Sequence, residues 1–159
     1  MELIVIREKK KAGKTTTAAI VNNTLVQEKN ANPIGVWLKE KLAPLDGAND
    51  FVSVLELNKK IIVIISSNDY KYLKTEINEL KNVFQPAVMV ICAWFGGNNP
   101  TMKMLQENYK DLYDDMHSKN YQIILRYTKN ANGDEEIDVK EKAEECVKKI
   151  LEIVNQETV

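Results

Sequence analysis

The chain is poor in the residues that catalytic sites use most often. Its 159 residues include one histidine, His117, and two cysteines, Cys92 and Cys146. A structural zinc site needs about four ligands, mostly Cys and His. A Ser-His-Asp or Cys-His arrangement needs a histidine beside its nucleophile. His117 stands late in a charged helical segment, where we expect a helix C-terminal residue. The composition therefore argues against zinc enzymes and triad hydrolases.

Long apolar runs and a strong charge of one sign are also absent. No segment approaches the ~18 apolar residues of a membrane-spanning helix, and the N-terminal apolar run is too short for a signal peptide. The formal net charge is −1 and the pI is about 5.9, so no global basic field attracts nucleic acid. We therefore expect a cytoplasmic protein with reduced cysteines and with no membrane or nucleic-acid partner.

The hydrophobic pattern alternates between strands and helices. A chain of this length with 44% hydrophobic residues suits one domain over residues 1–159. The segments with strand-like patterns are Leu3–Ile6, Ile34–Leu38, Phe51–Leu57, Ile61–Ile65, Ala87–Cys92 and Gln122–Tyr127. The segments with helical periodicity are Thr16–Val26, Tyr72–Phe84, Met102–Ser118 and Val139–Val154.

This order of elements predicts an α/β fold, a three-layer α/β/α sandwich around a mostly parallel sheet. The short connection Asn58–Lys60 permits only a hairpin, which contributes one antiparallel strand. Open sheets of this class bind ligands at the carboxyl ends of their strands. The segments that follow strands are therefore the candidate ligand rim: Arg7–Lys14, Ser66–Asp69, Ala93–Pro100 and Thr128–Asn132.

The sequence Gly13-Lys14-Thr15 stands between the first predicted strand and the first predicted helix. In a phosphate loop placed in this way, backbone N–H groups and the helix N-terminus form an anion cradle. The ammonium of Lys14 would reach the β- and γ-phosphates, and the hydroxyl of Thr15 would bind Mg²⁺. The predicted nucleotide-binding residues are Lys9, Lys10, Lys11, Ala12, Gly13, Lys14, Thr15 and Thr16.

The segment KKKAGKTTTAA resembles the deviant phosphate loop of the partition and septum-site ATPases, usually written KGGxGKTTTAA. The resemblance implies a P-loop NTPase-like fold, and it places Lys9 on the signature lysine of that family. It also implies that Lys9 reaches the phosphates of a second subunit in a nucleotide-bound homodimer. Glu8 stands where the general pattern G-x-x-x-x-G-K-[ST] has its first glycine.

Two further residues are candidates for catalysis. Asp69 follows the strand Ile61–Ile65 closely, and a carboxylate there would contribute to the Mg²⁺ site or cap the next helix. Arg126 lies at the end of a predicted strand and would bring a positive charge to the γ-phosphate. With Lys14, these residues form the predicted catalytic set.

The sequence predicts a protein that binds Mg²⁺–ATP, hydrolyses it slowly and couples it to a partner protein or a dimer. The small GTPases share the hairpin before the metal-proximal turn, but their D-x-x-G and N-K-x-D motifs are missing here, so ATP is the expected nucleotide. Two alternatives remain open. One is a degenerate phosphate loop in an interaction module, and the other is a small nucleotide or metabolite kinase, for which only Arg7 and Arg126 would be available as arginines.

Overall fold

The computed structural model describes residues 1–8, 14–34, 51–67, 70–94, 99–129 and 131–156. Within these residues the chain forms eight strands and five helices. The strands are β1 (Glu2–Glu8), β2 (Asn32–Pro33), β3 (Phe51–Leu57), β4 (Lys60–Ser66), β5 (Val88–Trp94), β6 (Gln122–Ile124), β7 (Tyr127–Lys129) and β8 (Glu135–Ile137). The helices are α1 (Lys14–Glu28), α2 (Tyr70–Phe84), α3 (Pro100–Asn108), α4 (Lys110–Ser118) and α5 (Val139–Val154).

Six of the described strands form one mixed sheet in the order β2-β3-β4-β5-β1-β6. β4, β5, β1 and β6 run parallel, and β3 is antiparallel to both of its neighbours. Of these six strands, β3 alone therefore runs against the rest. The turn between β3 and β4 consists of Asn58 and Lys59, both with positive φ (53° and 64°). Two left-handed residues match the twist of a tight hairpin, and the predicted hairpin is confirmed.

The sheet is covered on both faces, because its central strands are apolar on both sides. One face, with Ile4, Ile6 and Ile64 among its side chains, packs against α1 and α5. The other face, which includes Val5 and Ile91, packs against α2, α3 and α4. Alternation along each strand sends neighbouring side chains to opposite faces. The three layers of the predicted α/β/α arrangement are present in the described residues.

The predicted single helix Met102–Ser118 is wrong, because the segment forms two helices that are separated at Tyr109. Tyr109 has φ −135° and ψ 50°, and the residue is only 9% exposed. Its hydroxyl donates a hydrogen bond to Oδ1 of Asn78 on α2. The break turns this large side chain against α2, a tertiary contact that the local periodicity does not reveal.

Two predicted strands also have different bounds. The strand predicted over Gln122–Tyr127 ends at Ile124, and Tyr127 instead begins the small antiparallel sheet of β7 and β8. The strand predicted over Ile34–Leu38 is preceded by β2, and the N–H of Ile34 donates to the carbonyl of Val54 at 2.9 Å. Residues 35–38 lie outside the described residues.

Candidate functional site

The carboxyl ends of the parallel strands meet at one edge of the sheet, which we call the carboxyl edge. β1 ends at Glu8, directly paired with Trp94 at the end of β5. After β1 the chain enters α1 on one face of the sheet, and after β5 it enters α3 on the opposite face. Adjacent strands with connections on opposite faces leave a crevice between them, and open α/β sheets bind ligands at such a switch point. The crevice between β1 and β5 is therefore the candidate site.

The first turn of α1 stands at this crevice. α1 begins at Lys14, so Lys14 and Thr15 lie at its amino end, and its first turn contains no acidic residue. The first N–H groups of a helix have no partner within the helix, and the helix dipole adds partial positive charge there. The start of α1 can therefore attract an anion. Thr16 is exposed at this end, and Thr17 is fully buried.

Small and polar side chains hold α1 close to the sheet. Ala18 and Ala19 are 0% and 2% exposed against the core, so the helix backbone can approach the strands closely. One turn further along, Asn22 accepts a hydrogen bond from the hydroxyl of Ser53 on β3. Asn22 and Ser53 are both buried. A buried hydrogen bond is directional, so this pair resists a shift of α1 along its own axis better than apolar contacts do.

The predicted site residues fall into three groups. Lys9, Lys10, Lys11, Ala12, Gly13 and Asp69 lie outside the described residues, as do Asn68 and residues 95–98. Lys14, Thr15 and Thr16 begin α1, as the motif requires, although the predicted helix Thr16–Val26 is extended at both ends. Arg126 is exposed and follows β6, the neighbour of β1. The structure thus brings Lys14, Thr15, Thr16 and Arg126 to the same edge of the sheet.

The position of β4 bears on the metal role predicted for Asp69. β4 pairs with β5 rather than with β1, so one strand separates the end of β4 from the end of β1. Neighbouring strands are about 4.8 Å apart, which puts the two strand ends about 10 Å from each other across the sheet. Asp69 itself lies outside the described residues, so its metal role stays a prediction.

Arg7, the penultimate residue of β1, is held in a polar network under α4. Its Nη1 donates to Oε1 of Gln122 at 2.7 Å, and Nε2 of the same glutamine lies 3.0 Å from Nδ1 of His117. The His117 ring packs edge-on against Tyr113, with 4.6 Å between the ring centroids. Burial lowers the pKa of the Arg7 guanidinium, an effect partly opposed by Tyr113. His117 lies in the last turn of α4, as predicted.

Arg126 closes the base of the β7–β8 hairpin through its backbone. Its N–H donates to Oδ1 of Asp138 at 2.8 Å, and its carbonyl accepts from the Asp138 N–H at 3.3 Å. These contacts leave the guanidinium of Arg126 at the exposed surface. The predicted loop Thr128–Asn132 is partly strand, since β7 continues to Lys129.

Buried polar residues gather at the carboxyl edge, and the predicted ligand rim included Ser66, Ser67 and Asn99 but not Thr17 or Thr101. Thr17, Ser66, Ser67, Asn99 and Thr101 are each at most 7% exposed, and all lie at strand ends or in first helical turns. Asn99 is the N-cap of α3, and its Oδ1 accepts from the N–H groups of Thr101 (2.9 Å) and Met102 (3.4 Å). The signal was available in the sequence, because Asn followed by Pro is a strong helix-start pattern.

A second concavity lies far from this edge. It is a groove of about 590 Å³ between α1 and α5. Its lining mixes acidic, basic and apolar side chains: Thr24, Glu28, Lys29, Glu144, Val147, Lys148, Leu151, Glu152 and Asn155. These residues belong to the later turns of both helices, which lead away from the carboxyl edge toward the β3–β4 turn. The groove is therefore separate from the crevice.

Within the described part of the chain, no three His, Cys, Asp or Glu side chains are grouped so that they could hold a metal ion. Across the same residues, no helix is long and apolar enough to cross a membrane. Cys92 and Cys146 are buried free thiols. A scan against protein-family models, a search of curated proteins and a search of solved structures each found no match for this chain.

Proposed function

We propose that this protein binds a nucleoside triphosphate with Mg²⁺ in the crevice between β1 and β5, and that residues 9–13 are its phosphate loop. The observation that carries the proposal is a coincidence of motif and topology. The Gly-Lys-Thr motif falls at the residue where α1 begins, after β1, which lies between β5 and β6, and at the switch point of the sheet. A chance motif would have no reason to fall at that one place among the five described helix starts.

The proposed chemistry follows from the groups at the start of α1. The N–H groups of its first turn, with the amides of Lys11–Gly13, surround the β- and γ-phosphates. Lys14 neutralises their charge, and Thr15 supplies a hydroxyl ligand to Mg²⁺. Asp69 would contribute to the Mg²⁺ site, and Arg126 would bring a positive charge to the γ-phosphate. Hydrolysis is proposed to be slow. ATP is the proposed nucleotide.

A second candidate function is that of an interaction module with a degenerate phosphate loop. Such a module binds a partner protein and does not hydrolyse nucleotide. One observation favours it: Glu8 is the last residue of β1, where the general motif has glycine. A carboxylate at the entrance to the loop repels phosphate, and a side chain there restricts the backbone. This candidate predicts no phosphate release at any nucleotide concentration, whereas the first predicts release that requires both Mg²⁺ and Lys14.

The test is a thermal-shift series on the wild type, Lys14→Ala and a control, Lys148→Ala. Lys148 is an exposed lysine in the groove between α1 and α5, so its removal changes the net charge equally. Millimolar nucleotide at micromolar affinity stabilises the native state by about 4 kcal/mol. For a chain of this size that corresponds to a shift of roughly 8–16 °C. We expect this shift with Mg²⁺–ATP for the wild type and Lys148→Ala, and its loss in Lys14→Ala.

Other outcomes would remove the proposal. A shift that persists in Lys14→Ala would place the nucleotide elsewhere, and a shift lost only in Lys148→Ala would place it in the groove. The homodimer implied by Lys9 has a separate test, the molar mass with and without Mg²⁺–ATP. An unchanged mass would leave nucleotide binding intact and remove the dimer.

A further inference from the structure

Asn99 carries two polar groups, and the fold uses only one of them. The oxygen Oδ1 caps α3 by accepting from two backbone N–H groups. The amide nitrogen Nδ2 is buried and has no hydrogen-bond partner among the described residues. The residue as a whole is 5% exposed. A buried donor without an acceptor is costly, and native proteins rarely keep one without a use for it.

The assignment of these two atoms is fixed by the helix. Backbone N–H groups can donate only to an acceptor, so the atom that faces Thr101 and Met102 must be the oxygen. The NH₂ group is on the other branch of the planar amide and therefore faces away from the first turn of α3. The cap holds the side chain in one orientation, so this donor is presented in a fixed direction without further loss of conformational freedom on binding.

The place of Asn99 in the fold connects this donor with the candidate site. α3 follows β5, and β5 pairs with β1 along its whole length, up to Glu8 and Trp94. Asn99 therefore begins the helix on one wall of the crevice, opposite the start of α1 on the other wall. A polyanion bound at the start of α1 would offer acceptor oxygens in the space between the two walls.

Resting on the proposed function, we infer that Asn99 donates a hydrogen bond from Nδ2 to a phosphate oxygen of the bound triphosphate. Asn99 is then a phosphate-positioning residue contributed by α3, which closes the crevice from the side opposite Lys14. Binding supplies an acceptor that the described residues do not provide, so the buried donor favours the liganded state.

Asn99→Asp separates the two roles of the side chain. Aspartate keeps an oxygen to cap α3, and an acidic cap suits a helix N-terminus, so the variant should still fold. Its second carboxylate oxygen is buried, which offsets part of that gain, so the melting temperature without ligand is measured for each variant before the titrations. The donor, however, becomes a carboxylate oxygen that repels phosphate. We expect the Kd for Mg²⁺–ATP to rise about 10- to 100-fold, the range for a lost hydrogen bond to a charged group. Asn99→Ser keeps an oxygen that can cap α3 and adds no negative charge. Its Kd for Mg²⁺–ATP should therefore rise by a smaller factor within this range.

The control adds the same charge at the other end of α3. Asn108 donates from Nδ2 to the carbonyl of Met104 at 2.9 Å, within the helix, and Asn108→Asp should leave the Kd within about twofold of the wild type. Calorimetric titrations with Mg²⁺–ATP and with inorganic tripolyphosphate complete the test. The same relative loss for both ligands in Asn99→Asp would support a phosphate contact, whereas a loss for ATP alone would put the contact on the base or ribose and overturn the assignment.

Different experimental results would overturn the role of Asn99 and the proposed function. A wild type that binds ATP while Asn99→Asp binds it equally tightly would overturn the role of Asn99 alone. A wild type that binds neither ATP nor tripolyphosphate would overturn both.

Discussion

The hydrogen bond between Ser53 and Asn22 predicts a measurable coupling between α1 and the β3–β4 hairpin. Ser53 is 1% exposed and Asn22 is 6% exposed, so neither side chain can find water when its partner is removed. The pair joins the helix that begins at the candidate site to the antiparallel strand of the sheet. Its removal should therefore weaken the attachment of α1 to the sheet.

The magnitude follows from burial. Ser53→Ala leaves the Oδ1 of Asn22 buried without this donor, which costs about 1–3 kcal/mol. We expect about 2 kcal/mol, or a melting temperature lower by roughly 4–8 °C in a chain of this size. Asn22→Leu leaves the Ser53 hydroxyl buried without this acceptor and should cost a similar amount. Replacing both groups with apolar ones removes both orphans, so the double variant should cost less than the sum by about 1–2 kcal/mol.

Urea denaturation of the four proteins, the wild type, the two single variants and the double variant, measures this coupling. Ser118→Ala is the control, since Ser118 is exposed and bonds only locally to the carbonyl of Asp115 at 3.2 Å. Its effect should lie within about 0.5 kcal/mol of zero. If the two single effects add within about 0.5 kcal/mol in the double variant, the pair does not couple α1 to β3 and the reasoning is refuted.

Three other predictions concern the core and the network around Arg7. Burial raises the pKa of the Cys146 thiol, so above about pH 8.5 the unfolded chain releases a proton that the folded chain keeps, and the free energy of unfolding should fall by up to ~1.4 kcal/mol per pH unit. Cys146→Val should flatten this fall, and identical pH profiles would contradict the assignment. Gln122→Leu removes one acceptor of the half-buried Arg7 guanidinium. The change should cost about 1–2 kcal/mol in urea denaturation, and an unchanged midpoint would show that the contact contributes nothing. Tyr109→Phe removes the hydroxyl bonded to Asn78 and should cost about 0.5–1.5 kcal/mol, so a melting temperature equal to that of the wild type would argue against this tie between α2 and α3.

The parts of the fold that the sequence predicts well are those with strong local signals. The helix over Val139–Val154 has the predicted bounds, because its apolar stripe begins and ends where the helix does. The hairpin of β3 and β4 follows from two apolar runs joined by a connection too short for anything else. The helix start at Lys14 lies two residues before the predicted start, within the usual uncertainty of a helix boundary.

The parts that local signals miss depend on distant contacts. The break at Tyr109 follows from a hydroxyl that reaches α2, although the apolar spacing continues across it. The β7–β8 hairpin has strands of three residues, and contacts between Arg126 and Asp138 close its base. The strand order places β5 between β4 and β1, which no local pattern in either strand reveals. Asn99 stands out at the candidate site because its Oδ1 accepts hydrogen bonds while its Nδ2 has no partner among the described residues.

The most direct test of the account is the map of backbone amide chemical-shift changes when Mg²⁺–ATP is added to the 18.2 kDa protein. The account predicts that the largest changes cluster at the carboxyl edge, at the amides of Lys14–Thr17 and at the start of α3, and that Lys14→Ala abolishes them at the same ligand concentration. Changes confined to the groove between α1 and α5, or no change at saturating nucleotide, would contradict it.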